Sequence, residues 1–531
     1  LQKNIIEINS KINFWIYPST ETNELYILQL KQMNYISINN NQTIPISEIP
    51  ILKYEDFLQI NAIGTVGNRN LHCANYFGYH SENKIKLICC LADDLTHKIR
   101  ISSTIIDQNQ KIPSFTKHNT IFEKFEREIF ENFGIQYFDH PWLKPVRFSE
   151  NRADKNLIIE NYPFFEIQSE ELHEVGVGPI HAGVIEPGHF RFICNGEQIL
   201  HLEIQLGYQH RSVEELFLRK KKLLQRVLLA ENIAGDTTVG HSVTFANLWE
   251  SLCEFETPPK IQFDRVLALE HERIAIHTGD LSAICTDIAY QLGSSVFGRL
   301  RTPIINFFQI WAGNRFAKGL IRPFSVNFPF TSELAEKWQE TINAYEPDFV
   351  EMNKTFSGLP SVLGRLEKTG IVAEETVSAL GCVGPTARAS GLERDVRKSH
   401  PFGIYENLNH NPIVKRHGDV YSRTQIRKEE ILQSVGYIRK MISEMPIEDE
   451  KQSGQYLPKP DSLTISLTEG WRGEICHCAL TDGNGDLVVY KIKDPSFHNW
   501  TALAMAVRNN EISDFPICNK SFNLSYCGHD L

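Results

Sequence analysis

"HFRFICNGEQILHLEIQLG", residues 189–207, is the stretch on which the reading of the fold turns. Apolar and polar residues alternate on both sides of Asn195-Gly196, and an Asn-Gly pair between alternating runs is the strongest short hairpin signal. Before this hairpin the pattern is mixed. "KIKLICCLADD" (84–94) reads as a buried strand, and "TIFEKFEREIFENFGI" (120–135) as an amphipathic helix closed by Gly134. After it, from Ser212 to about Trp311, the period becomes helical, with Val213, Leu216, Phe217, Leu224, Val227 and Leu228 mostly on one face. Helical spacing continues over about 262–295 and 331–347.

Working outward, "DHPWLKPVRF" (139–148) carries two prolines that stop regular structure, and residues 149–170 are polar and irregular, as in a linker. Near the C-terminus "EICHCALTDGNGDLVVYKIKD" (474–494) forms a second hairpin around a Gly-rich turn, followed by a short helix at "WTALAMAVRNN" (500–510). The expected fold class is α+β: an N-terminal α/β domain over 1–150, a linker over 151–172, and a mainly α-helical domain with flanking β-hairpins over 173–531.

The bulk numbers bound the function. A chain of 531 residues exceeds one ordinary core, so two or more domains are expected. The net charge of -11 argues against a nucleic-acid binder. No run of 18 apolar residues exists to span a membrane, and residues 1–17 carry Lys and Glu where a signal peptide needs an apolar core. The 11 cysteines include no C-x-x-C pair, which points to reduced thiols and a cytosolic setting. Cys476 and Cys478 share one face of a strand without a second ligand pair nearby in sequence, so the structural reading outweighs the metal one.

Five stretches are candidates for chemistry. "GDTTVGHS" (235–242) is one residue from a phosphate-binding loop, with His241 where Lys would stand; but a helical segment precedes it instead of a strand, and nucleotide binding is rejected. "HERIAIH" places His271 and His277 six residues apart, on different helix faces, which excludes the zinc-protease motif. "RKKKLLQR" (219–226) reads as a solvated helix face. "GPIHAGVIEPGHFRF" (178–192) brings His181, Glu186 and His189 into a Gly/Pro-rich loop, either lining a cavity or forming polar loop surface. "GPTARASGLERDVRKSHPFG" (384–403) concentrates Thr386, Arg388, Arg394, Asp395, Arg397 and His400 between glycines; a buried polar network and an exposed charged turn are equally open readings.

Taken in order, these stretches resemble a known family. "FEREIFENFGIQYFDHPWLKPVRF" (125–148) is similar to the signature of the 30 kDa subunit of respiratory complex I. "GPIHAGVIEPGHFRF", "LGYQHRSVEEL" (206–216), "ARASGLERDVRKSHPFGIY" (387–405) and "GDVYSR" (418–423) resemble the complex I 49 kDa subunit and the large subunit of membrane-bound [NiFe] hydrogenases. The two are fused, as in formate hydrogenlyase-type large subunits, and the likeness runs from about residue 55 to 531.

In the hydrogenase members two C-x-x-C pairs hold the nickel–iron centre, because soft thiolates suit those metals. The resemblance puts the first pair on "ENIAGDTTVGHS" at Ala234 and Thr237, and the second on "SFNLSYCGHD" at Ser525 and Gly528. None is Cys; Cys527 is one residue out of register and Cys518 is farther off. In complex I the quinone cavity is lined by a His and a Tyr, whose positions fall near Pro187 and at Gly235, leaving His189 as the substitute. "HTGDLSA" (277–283) places the acidic partner of that His at Asp280.

The resemblance thus implies a peripheral-arm subunit, on the cytoplasmic side of the inner or plasma membrane, of a complex I-like or hydrogenase-related oxidoreductase. It binds no cofactor itself and has no metal site. A [4Fe-4S] cluster resides in a neighbouring small subunit, integral membrane subunits are the other partners, and electrons pass to an acceptor such as a quinone, coupled to ion movement. NADH belongs to the whole complex, since no dinucleotide-binding loop is present here. His189 and Asp280 are the expected hydrogen-bonding and proton-relay pair if burial raises the Asp280 pKa; Asp280 as a helix-interior hydrogen-bond acceptor is an equally open reading. His181, Glu186, Thr237, His241 and Arg388 are the expected cavity residues, Arg388 as an electrostatic wall. The rival readings are a [NiFe] hydrogenase with atypical ligands and a redox-inactive scaffold subunit.

Overall fold

The computed structural model describes residues 34–108, 110–167, 169–183, 185–446, 454 and 456–531. The signal-peptide reading of residues 1–17 lies outside the described residues. At the front, strands Leu71–Ser81, Lys84–Asp93 and Lys98–Asp107 form an antiparallel meander, extended by Ile36–Ile38 and by Ile51–Leu52. Burial on both faces explains the continuous apolar run at 84–94. Ile85, Leu87, Cys89 and Leu91 face one core with Phe57, Tyr76, Phe115 and Phe125, while Ile88, Cys90 and Ala92 face the main core. Two helices, Tyr54–Asn61 and Glu123–Phe133, supply the apolar cover, the second ending at Gly134 with φ 70°.

This front sheet corrects the expected α/β arrangement. Only Ile51–Leu52 pairs in parallel. The long strands follow one another through turns too short for the helical crossover that parallel neighbours require.

The diagnostic hairpin forms between His189–Asn195 and Gln198–Gln205, but Asn195 pairs with Gln198. The turn residues are therefore Gly196 and Glu197, one position later than the Asn-Gly pair suggests, with Gly196 at φ 58°. A third strand, His173–Val177, lies along its outer side. The C-terminal hairpin Gly473–Thr481/Leu487–Lys493 belongs to a four-stranded sheet completed by Ser462–Gly470 and by Thr43–Pro45 from the front of the chain.

The helical body centres on Pro259–Asp287, which is buried nearly all round and packs against Gln291–Ala312 and Val420–Ser443. The expected 262–295 segment is two helices, because Ala289 takes φ 58° and the chain turns back. Ser332–Gly358 is a further long helix. The basic run 219–226 is likewise divided: one helix ends at Arg219, another starts at Leu223, and Arg226 turns inward over Trp249. Among the described residues no helix is long and apolar enough to cross a membrane.

Candidate functional site

Three segments converge on Cys527. The turn 235–237 connects helices Leu223–Ala230 and Thr238–Leu252, and the C-terminal segment Ser525–Cys527 lies beside it. From the Gly178–His189 loop, Glu186 accepts the Tyr526 N–H at 3.3 Å. Cys527 Sγ is 3.4 Å from Ser525 Oγ, and its pKa is pushed up to about 11, by burial and then by the negative charge of Glu186. The same loop exposes Ile180 and Ile185 to solvent.

A run of buried ionisable groups begins at this turn. Arg472 donates to both Asp236 oxygens at 2.5 and 2.6 Å, to Thr237 Oγ1 at 3.0 Å and to the Asn523 carbonyl at 2.6 Å. Asn523 donates to Asp280 Oδ1 at 2.7 Å, and Arg427 donates to Asp280 Oδ2 at 2.9 Å. His277 stands 3.8 Å from Asp280 and 2.8 Å from Glu430. Glu430 accepts from Arg388 at 2.6 Å and Arg397 at 3.1 Å. Arg388 also reaches Glu469 at 2.8 Å and Asp395 at 3.3 Å, while Arg397 reaches Asp395 at 2.7 Å and Glu270 at 3.3 Å.

Helical periodicity places these groups. Glu270, Arg273, His277 and Asp280 are spaced 3, 4 and 3 residues apart on one helix, and Arg423, Arg427, Glu430 and Ser434 are spaced 4, 3 and 4 on the helix packed against it. Each set forms one stripe, and the stripes meet. The charge states follow from the neighbours. Burial works to raise Asp280, but nearby His277 and the Arg427 guanidinium overcome it and hold its pKa at about 2. Glu430 is likewise held well below the carboxylate range by Arg388 and Arg273 against the cost of burial. Glu469 goes the other way: burial, then the charge of Asp395, pushes it up to about 7. Glu272, buried against the Val239 and Gly240 amides at 2.8 and 3.2 Å, is pushed up to about 8 by burial.

The positions aligned with nickel cysteines have structural roles here. Thr237 accepts from Arg472, Ala234 is fully buried, and Ser525 Oγ accepts the Gly528 N–H at 2.9 Å as a helix cap. A Cβ at Gly528 would fall 2.7 Å from Asp494 Cγ. Asp494 is occupied by His241 at 3.1 Å, whose other nitrogen lies 3.1 Å from His477. Cys476 and Cys478 share a strand face, their sulfurs 3.7 Å apart. Among the described residues no group of three or more His, Cys, Asp or Glu side chains is arranged to hold a metal ion.

The expected His189–Asp280 hydrogen bond is not formed. His189 Nδ1 bonds the Gly178 carbonyl at 3.2 Å and its ring meets Phe164 edge-on, while His181 Nε2 bonds the Gly188 carbonyl at 2.8 Å. Both histidines brace their own loop, because a tight loop of glycines and prolines leaves carbonyls to be satisfied. The Asp280 pKa is depressed instead of raised, since its burial is outweighed by a guanidinium and a histidine. Arg388 lies within a buried network, which decides between the two readings of 384–403. Sequence reading missed Arg472, Asp236, Asn523, Arg427 and Glu430, and set His277 aside once the zinc motif was excluded. The polar stripe Glu270/Arg273/His277/Asp280 was a visible signal; Arg472 and Asn523 carried none.

Residues 56–156 match the family described as respiratory-chain NADH dehydrogenase, 30 Kd subunit, and residues 294–464 match respiratory-chain NADH dehydrogenase, 49 Kd subunit. The chain is a fused complex I/hydrogenase-type subunit. Similar fused chains include the C/D protein of the NADH-quinone oxidoreductase of Phocaeicola vulgatus, 26% identical over 78% of this chain and 85% of that protein. The carbon monoxide-induced hydrogenase of Rhodospirillum rubrum is 27% identical over 66% of this chain and 97% of its own length. Hydrogenase-4 component G of Escherichia coli is 25% identical over 73% of this chain and 67% of its own. This fused subunit is of the complex I-like peripheral-arm type and acts as an oxidoreductase subunit within a complex.

Proposed function

We propose that this subunit helps form the acceptor site of a membrane-associated, complex I-like oxidoreductase, where electrons from a [4Fe-4S] cluster in a neighbouring small subunit reach an acceptor such as a quinone. The observation that carries this reading is the continuous run of hydrogen bonds and ion pairs from Asp236 and Arg472, beside the Glu186/Cys527 loops, through Asp280 and His277 to Glu430. Reduction of a quinone takes up protons, and a buried chain of ionisable groups that starts at the reacting face responds to that uptake. Exposed Ile180 and Ile185 give the same face an apolar rim for acceptor or partner. Within this chain His277, 2.8 Å from Glu430, takes the relay role with ionised Asp280 orienting its surroundings, while His189 and His181 position the loop.

The reading includes no nickel–iron centre. Alanine, threonine, serine and glycine at the four thiolate positions offer no soft ligand, and Asp494 lies where a side chain at Gly528 would have to go. The complex purified with its neighbours tests all of this through nickel content, iron content and quinone-reductase turnover on one sample. Inhibitor-sensitive quinone reduction without nickel, lowered at least about ten-fold by Asp280→Asn with assembly intact, is the expected result. Nickel at about one per chain would restore the hydrogenase reading, and turnover unaffected by Asp280→Asn would end the relay assignment. Absence of turnover with any quinone would favour a scaffold.

A further inference from the structure

A cavity of about 640 Å³ adjoins the C-terminal segment through Trp500 and His529, and neither Cys527 nor Glu186 lines it. Its walls come from helix Glu123–Phe133 and the Pro141–Val146 segment of the front domain, strand Gln198–Gln205, and helix Pro495–Ala506. The volume is in the range of small-molecule sites. Trp142, Leu202, Leu206, Trp500, Ala504 and Met505 make most of it apolar.

Three side chains in it have buried polar atoms without a partner: His201, Arg508 and the Tyr162 hydroxyl. His201 is only 8% exposed, yet neither ring nitrogen has a hydrogen-bond partner. Its ring is fixed between the edges of Trp142 and Phe165. Arg508 has a buried Nε without a partner, and burial is the sole influence on its pKa, lowered to about 10, so no carboxylate offsets its charge. Burial, then the charges of Arg508 and Lys144, keep His201 neutral down to about pH 3, so it offers one donor and one acceptor. The other charged groups here have ionic partners: Arg127 and Lys124 share Glu123, and Glu203 meets Lys144 at 2.7 Å. A partly buried guanidinium with an unpartnered Nε and a buried, unpaired neutral imidazole, between apolar walls, are costly unless something satisfies both.

We propose that this cavity binds a small amphipathic monocarboxylate, its head group on Arg508 and His201 and its apolar part against Trp142 and Trp500. A carboxylate takes up the Arg508 guanidinium and an imidazole N–H, and its apolar tail fits walls that offer nothing to a compact phosphate dianion. Nothing in this inference depends on the acceptor-site reading.

The test is a titration of the full chain, at concentrations below micelle formation, with dodecanoate, dodecanol and dodecylammonium, read by tryptophan fluorescence. Trp142→Phe localises the signal. Saturable binding of dodecanoate, at least roughly ten-fold tighter than either analogue, is expected. Arg508→Gln should weaken dodecanoate by roughly ten-fold while leaving dodecanol unchanged, and Ala504→Phe should abolish binding by filling the space. If Arg508→Gln fails to fold, the head-group series on the unaltered chain still decides. No saturable binding, equal affinity for the three probes, or indifference to Ala504→Phe would overturn the proposal.

Discussion

Replacing Arg388 by Met tests whether the buried network is organised as charge balance. Arg388, fully buried, lies 2.6 Å from Glu430, 2.8 Å from Glu469 and 3.3 Å from Asp395. Around it, the three guanidiniums of Arg273, Arg388 and Arg397 face three carboxylates held ionised, Glu270, Asp395 and Glu430, while Glu469 titrates near 7. Met fills similar volume but leaves one buried anion without its cation. Removing one partner from a buried pair costs about 3–5 kcal/mol, roughly two to three and a half decades in the unfolding constant. Guanidinium unfolding followed by tryptophan fluorescence measures it. The sign with pH also follows. Asp395 and Glu430 have folded pKa values below their unfolded ones, so their stabilisation is present above about pH 4.5 and is lost as pH falls through the depressed values. Arg388→Met raises the Glu430 pKa, and the deficit of the variant should shrink as the medium is acidified. Adding Glu430→Gln should recover at least about 1 kcal/mol by restoring the balance. A loss below about 1 kcal/mol for Arg388→Met, or a Glu430→Gln cost that simply adds, would refute charge balance as the organising feature.

Gly384→Ala should destabilise by at least about 2 kcal/mol in the same unfolding assay, because Gly384 has φ 65° and a Cβ there would lie 2.1 Å from the Arg472 carbonyl oxygen. Loss of the Arg472–Asp236 pair should accompany it, read as faster hydrogen exchange in the 235–238 turn. Glu272, with a folded pKa of about 8, binds its proton more tightly folded than unfolded, so native stability should decline as pH rises from about 4.5 to 8. Glu272→Gln should flatten that decline, and an unchanged pH profile would show that the carboxyl is ionised in the folded state.

Much was legible in the residue pattern, for reasons that are local. The hairpin at 189–205, the strand at 84–93, the Gly134 helix end and the run of body helices all follow from periodicity and turn chemistry over a few residues. Even so the turn sits at Gly196-Glu197, because a bulge between Ile193 and Cys194 lets strand pairing shift the register that Asn-Gly favours. The expected single helix over 262–295 divides at Ala289, where nothing in the sequence marks a stop. Pairing of Thr43–Pro45 with Ser462–Thr464 joins residues more than four hundred positions apart, and no local rule signals such a partner.

The candidate site divides along the same line. By itself the sequence determined the family, the absence of thiolates at Ala234, Thr237, Ser525 and Gly528, and the concentration of charge over 384–403, since these depend on residue identity and order alone. Only the tertiary structure decided that Asp280 faces His277 and Arg427 instead of His189, and that Arg472 and Asn523 connect it to the Asp236 turn. The physical reason is that a carboxylate's charge state and partner depend on which distant groups share its buried space. In a fold this size those groups come from helices and strands brought together by packing.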